Sequence, residues 1–185
     1  MLLKFIVTIL TLAALTQACS AQSDKKIQTE EQPITISAFP SDKGTKSVEA
    51  EKFRNSGIEF ATKLDNDRAI VEFTKAIELD PNYADAYSRR GASYSNKKDD
   101  DRAIADFTKA IELNPKHDLA YINRGGSYAM KKEYELAIAD YTKAIEMGSN
   151  IEMAYVMRAE AYKKIGRKDL ADADTKKFVE LMAKP

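Results

Sequence analysis

The sequence predicts an all-α repeat solenoid. Its first sign is a phrase: Phe73-Thr74-Lys75-Ala76-Ile77-Glu78-Leu79 returns unchanged, 34 residues later, as Phe107-Thr108-Lys109-Ala110-Ile111-Glu112-Leu113. It returns again from Tyr141 to Met147, with Tyr for Phe and Met for Leu. A fixed period of this length marks stacked supersecondary units, and it directs the search for function toward a binding surface. The second sign is composition. Of 185 residues, 44% are hydrophobic and 31% charged, which suits a helix-rich soluble fold. The formal net charge is zero, so no electrostatic footprint suggests nucleic acid.

The amino terminus reads as an address. Residues 1–18 hold no acid and one charged side chain, Lys4, and the run from Phe5 to Leu15 is mostly apolar. As a helix that run would span roughly 16 Å, against a hydrocarbon core of about 30 Å. It is too short to cross a bilayer and matches the apolar stretch of a secretory signal. The single cysteine, Cys19, follows directly and excludes an internal disulfide framework.

Two cleavage readings compete there. Thr16-Gln17-Ala18-Cys19 resembles a bacterial lipobox, with Thr16 and Gln17 departing from the usual Leu and small residue. That resemblance implies lipidation at Cys19 and an envelope lipoprotein. Ser20, in place of a retaining Asp, leans toward the outer membrane, facing the periplasm. The other reading is ordinary signal cleavage near Cys19-Ser20-Ala21, leaving a soluble periplasmic or secreted protein.

Residues 19–49 are expected to form a tether. They are rich in Gln, Lys, Asp, Glu, Ser and Thr, include Pro33, Pro40 and Gly44, and show no helical period. One apolar patch, Pro33–Phe39, interrupts the polar run and reads as linker or as a docking strand.

Four units follow, at 50–83, 84–117, 118–151 and 152–185. The first carries Phe53, Gly57, Phe60, Ala69, Phe73, Ala76 and Pro81. The second carries Tyr87, Gly91, Tyr94, Ala103, Phe107, Ala110 and Pro115 at the same places. The third keeps Tyr121, Gly125, Tyr128, Ala137, Tyr141 and Ala144 but has Ser149 for Pro. The fourth keeps Tyr155, Ala159, Tyr162 and Ala171, then diverges at Thr175 and Phe178. In this spacing each unit resembles the tetratricopeptide repeat, a helix–turn–helix. The resemblance implies a right-handed α-solenoid and covers the chain from residue 50 onward.

The residue types fit that packing. Small side chains on both helices of a pair let them approach at interior density. Asp80-Pro81 and Asn114-Pro115 end the second helices, because proline disfavours helical backbone in the residue before it. Arg90, Arg124 and Arg158 recur at one position. Their stems are expected to pack along the helix with the heads in water, or else to form a stripe for an acidic partner. The last unit must present a wetter face. Asp172 and Thr175 supply it, and the final helix, about Leu170 to Met182, is expected to cap the array.

No catalytic or metal constellation emerges. His117 stands alone in a turn. Asp99-Asp100-Asp101 suits a helix start and lacks the glycine and terminal Glu of a calcium loop. There is no Gly-rich phosphate loop. No enzyme activity, cofactor or metal is expected.

The remaining candidate is the groove that the resemblance implies on the concave side, lined by first helices. Carried over, it offers Arg54 in the first repeat, and Ser88, Ala92, Ser95 and Asn96 in the second. The third offers Leu119, Ile122, Asn123, Gly126, Ala129 and Met130; the fourth offers Met153, Val156, Glu160, Lys163 and Lys164. The lining is polar and small in the first two repeats and apolar in the third and early fourth, and an apolar strip of this kind marks partner sites. The family's grip on a carboxylate chain end is not reproduced, since Ile58 and Met153 stand where polar clamp residues are needed. The expected function is a non-catalytic scaffold of the bacterial envelope that binds a peptide or helix of another protein. The alternative is a structural protein that self-associates through its convex face or its ends.

Overall fold

The repeating pattern becomes eight helices in the computed structural model, which describes residues 43–148 and 151–183. They are α1 (Lys43–Thr62), α2 (Asn66–Leu79), α3 (Ala84–Asn96), α4 (Asp100–Leu113), α5 (Asp118–Met130), α6 (Tyr134–Met147), α7 (Ile151–Lys164) and α8 (Lys168–Met182). Consecutive helices pair as four hairpins, and each hairpin packs on the next. The signal, Cys19 and the Pro33–Phe39 patch lie outside the described residues. Among the described residues no helix is long and apolar enough to cross a membrane.

One boundary differs from expectation. Helix α1 begins at Lys43, so the last seven residues assigned to the tether are helical. The segment Lys46-Ser47-Val48-Glu49 carries no proline or glycine, and its helix simply continues into the first repeat.

The core is built from alanine and three rings. Phe73, Phe107 and Tyr141 are almost fully buried, and Ala69, Ala76, Ala103, Ala110, Ala137 and Ala144 beside them are completely so. The glycine column explains the closeness. A methyl group on Gly57 would sit 2.6 Å from the Phe73 ring. On Gly91 it would sit 3.0 Å from Phe107, and on Gly125 2.8 Å from Tyr141. The fourth hairpin changes both partners together: Ala159 replaces the glycine and Thr175 replaces the ring, so the methyl group has room.

The turns follow a rule that the sequence hides. Each hairpin bends through a left-handed residue at its fifteenth position: Leu64 (φ 61°), Lys98 (62°), Lys132 (65°) and Gly166 (78°). Asp65 and Asp99 then cap the second helices by accepting from the backbone N–H of Arg68 and Arg102. The second helices of the first two repeats stop at extended Asp80 and Asn114, ahead of proline. The third has no proline, and Gly148 (φ 79°) ends α6 in the left-handed conformation instead.

Candidate functional site

The arginine column is not a wet stripe. Arg90 donates from Nε and Nη2 to the two carboxylate oxygens of Asp106, both at 2.8 Å, and from Nη1 to Thr74 Oγ1 at 3.1 Å. Arg124 repeats this with Asp140 and Thr108, and Arg158 with Asp174 and Thr142. Each guanidinium also lies about 6 Å or less from two tyrosine rings, those of Tyr121 and Tyr128 for Arg124. The expectation of hydrated heads is therefore corrected. A planar fork meeting a carboxylate makes two parallel, charge-assisted bonds that water would not replace in kind. These bonds hold the guanidinium pKa above its ordinary value despite burial. Because the threonine belongs to the preceding repeat, each arginine stitches two repeats together. The ladder has no continuation at either end: Ser56 stands at the arginine position of the first repeat, and Lys176 at the threonine position of the fourth.

With those cations engaged in packing, the free surface lies elsewhere. Backbones of first helices meet between adjacent repeats (α1 with α3, α3 with α5, α5 with α7), whereas among the described residues those of adjacent second helices do not. The stack therefore bends with the first helices on its inner side. Two depressions line that side. One, about 260 Å³, lies between α1 and α3, with Ile58, Ala61, Thr62, Arg89, Ala92 and Asn96 around Phe73. The other, about 180 Å³, spans α3, α5 and α7. Its walls are Ala92, Ser95, Asn96, Ile122, Asn123, Gly126, Met153 and Met157, over Phe107 and Tyr141. Ala92 and Asn96 border both, so the two form one groove.

Of the residues expected there, Asn96, Ile122, Asn123 and Met153 come together in the second depression. Ile122 does so as a core residue, only 4% exposed and packed with Tyr141 and Ala154, so it is no freely accessible contact. Ser88, at the same repeat position as Ile122, is buried too and lines neither depression. Arg54 donates to the Tyr83 hydroxyl at 2.9 Å and pairs with Asp85 and Glu51 at 3.5 Å. Leu119, Met130 and Val156 are exposed but stand outside both depressions. Met157 was not expected. It shares its repeat position with Asn123, and that column was the available signal.

The floor has a distinctive hydroxyl. Tyr141 replaces the phenylalanine of the first two repeats, and burial, with the Asp140 carboxylate adding to it, pushes its pKa up to about 12. The acidic run Asp99–Asp101 is used structurally: Asp99 caps α4, and Asp101 pairs with Lys131 at 2.7 Å. Among the described residues, one Asp100 carboxylate oxygen is buried without a partner.

Comparison with known proteins agrees with this architecture. Models described as tetratricopeptide repeat match residues 84–117, 119–148 and 154–184, and one described as TPR repeat matches 65–98. The TPR2B domain of yeast Sti1, solved in complex with pHsp70, is 31% identical, with 64% of this chain and 99% of that one covered at a TM-score of 0.63.

The chain belongs to the tetratricopeptide repeat family.

Among further solved tetratricopeptide structures, MamA is similar at 28% identity and a TM-score of 0.68, covering 71% of this chain and 77% of that one. The first TPR of Spaghetti (RPAP3), bound to the HSP90 peptide SRMEEVD, shares the fold at 24% identity and a TM-score of 0.63. It covers 65% of this chain and 95% of its own. The comparison with curated proteins returns no match. Tetratricopeptide domains typically mediate protein–protein interaction and are generally non-catalytic. The glycine column and the ring beneath it are the landmarks by which this chain's repeats are recognised.

Proposed function

We propose that this protein is a non-catalytic scaffold of the bacterial cell envelope that holds a segment of another protein in the groove of its first helices. The observation that carries the reading is the depression between α3, α5 and α7. It is a concave, mostly apolar surface with Met153 half exposed and no charged residue on its walls. Sti1, a relative by sequence and fold, has been solved in complex with pHsp70, which supports a protein partner. The apolar amino-terminal run followed by a lone Cys19 supports export and a lipid anchor, with the soluble exported form as the alternative.

Site-specific photocrosslinking in the native envelope tests the groove. A crosslinker at Met153 should trap a partner protein that the same group at Val71, exposed on α2, does not trap. Adducts from Val71 alone would remove the groove from the account. Acyl labelling tests the anchor: the wild type should incorporate a radiolabelled fatty acid, and Cys19→Ser should not. An unlabelled wild type would leave the soluble form standing.

Self-association is the second reading, favoured by Val179 and Met182, which are 58% and 65% exposed on the last helix. A monomer mass independent of concentration in light scattering would dismiss it.

A further inference from the structure

The groove's chemistry specifies what it can hold. Three cations beside it are already paired. Arg89 donates to Asp85 at 2.8 Å, Arg54 is held by Tyr83 and Asp85, and Lys163 pairs with Glu160 at 2.7 Å. Inside the second depression the polar groups are uncharged. A carboxylate brought there would lose its water and find no positive partner, a cost that grows as the site closes over it.

Asn123 adds a second constraint. It is half buried on the wall, and among the described residues its carboxamide makes no hydrogen bond. An asparagine offers two donors and an acceptor, a match for the N–H and C=O of an extended peptide. A helix satisfies those backbone groups internally. A docked helix would therefore cover the Asn123 amide without bonding it, which is the costly outcome for a buried polar group. The depression is also small. At about 180 Å³, it compares with the apolar cavities of about 150 Å³ that accept a single benzene ring. One large side chain fills it, and flanking thioethers suit such a guest by adapting to its shape.

We propose that the groove takes an extended, uncharged segment from the interior of a partner chain, one large apolar side chain seated between Met153 and Met157 and Asn123 bonded to the backbone beside it. The inference rests on the groove reading above and narrows it from a peptide or helix to one conformation and one kind of contact.

The test uses the full chain and a capped probe, acetyl-Gln-Ser-Gln-Phe-Gln-Ser-Gln-amide. Binding is followed by NMR through the side-chain amide of Asn123 and the methyl groups of Met153 and Met157. The probe should move all three signals. Replacing its Phe by Ala, or methylating the Phe amide nitrogen, should each weaken binding about tenfold. Raising sodium chloride about tenfold should change the affinity less than about twofold, since no ion pair is screened. The Asn123→Ala variant should behave toward the parent probe as the wild type does toward the methylated one.

Stronger, salt-sensitive binding of a probe ending in a free carboxylate at Phe would overturn the proposal. So would equal binding of a probe locked into a helix. If no probe moves the groove signals while crosslinks still form from Met153, this inference fails and the scaffold reading stands. If neither occurs, both fail.

Discussion

Arg124 and Asp140 meet through two parallel hydrogen bonds of 2.8 Å, although they lie on different helices and sixteen residues apart. The same arginine reaches back to Thr108 in the preceding repeat at 3.0 Å. Arg124→Ala should destabilise the fold by about 3 kcal/mol, because Asp140 is left buried and unpaired. Arg124→Lys should recover only part of this, since an ammonium lacks the planar fork. Urea denaturation of both variants, with Asp140→Ala and the double substitution, gives the coupling. The double variant should lose clearly less than the sum of the single ones.

The glycine beneath Phe73 makes a sharper steric demand than its counterpart beneath Phe107, at 2.6 Å against 3.0 Å for an added methyl group. Gly57→Ala should therefore cost about 1 to 3 kcal/mol through displacement of a buried ring, and Gly91→Ala less. Gly91→Leu should cost more than either, as a side chain of that size cannot be absorbed. Thermal melts of the three variants check the order.

Left-handed backbone is strained for a residue with a Cβ. Lys98→Gly and Lys132→Gly, both exposed turn positions, should each stabilise the protein or leave it unchanged. The relief of about 1 kcal/mol in the left-handed region is offset by the extra chain entropy glycine loses. Gly166→Ala should destabilise by about 1 kcal/mol for the same reason. A higher melting temperature for Gly166→Ala would contradict the turn geometry.

Tyr141 makes stability depend on pH in the alkaline range. Its pKa is raised to about 12, chiefly by burial, whereas an unfolded tyrosine titrates near 10. Between those values the unfolded chain has released its proton and the folded chain has not, so the unfolded state binds fewer protons and stability falls as pH rises. Below about pH 10 the contribution is constant. Across the window it should amount to about 2 to 3 kcal/mol, and Tyr141→Phe should remove this part of the slope. Urea midpoints on both sides of the window measure it.

The hairpins, the glycine column and the wet last helix were legible in the sequence because packing repeats with the backbone period. Gly57, Gly91 and Gly125 recur above a ring, so one alignment identifies all three. The ladder was not legible from any one repeat, since Arg, Asp and Thr each read as surface residues when taken alone. Their columns carry the clue: Arg90 with Asp106, Arg124 with Asp140 and Arg158 with Asp174 appear together, while the first repeat has Ser56 and Glu72 instead. Position alone put Ile122 in the groove wall but did not show how little of it, or of Ser88, is exposed. Ile122 stands where groove and core meet, and it is buried in one cluster with Tyr141. The left-handed turns at Leu64, Lys98 and Lys132 gave no signal, because only the fourth uses glycine.

The stitching between repeats is written in interchangeable parts. Excising residues 84–117 would bring Thr74 to the place of Thr108, opposite Arg124, and rebuild the same seam from different residues. Lengthening by duplication of that block works in the same way. The chain thus carries its joinery in its second helices and in one arginine on each first helix after the first, apart from the residues that line the groove. A lineage can add or drop a module without redesigning a joint, and it can redecorate the groove without loosening one.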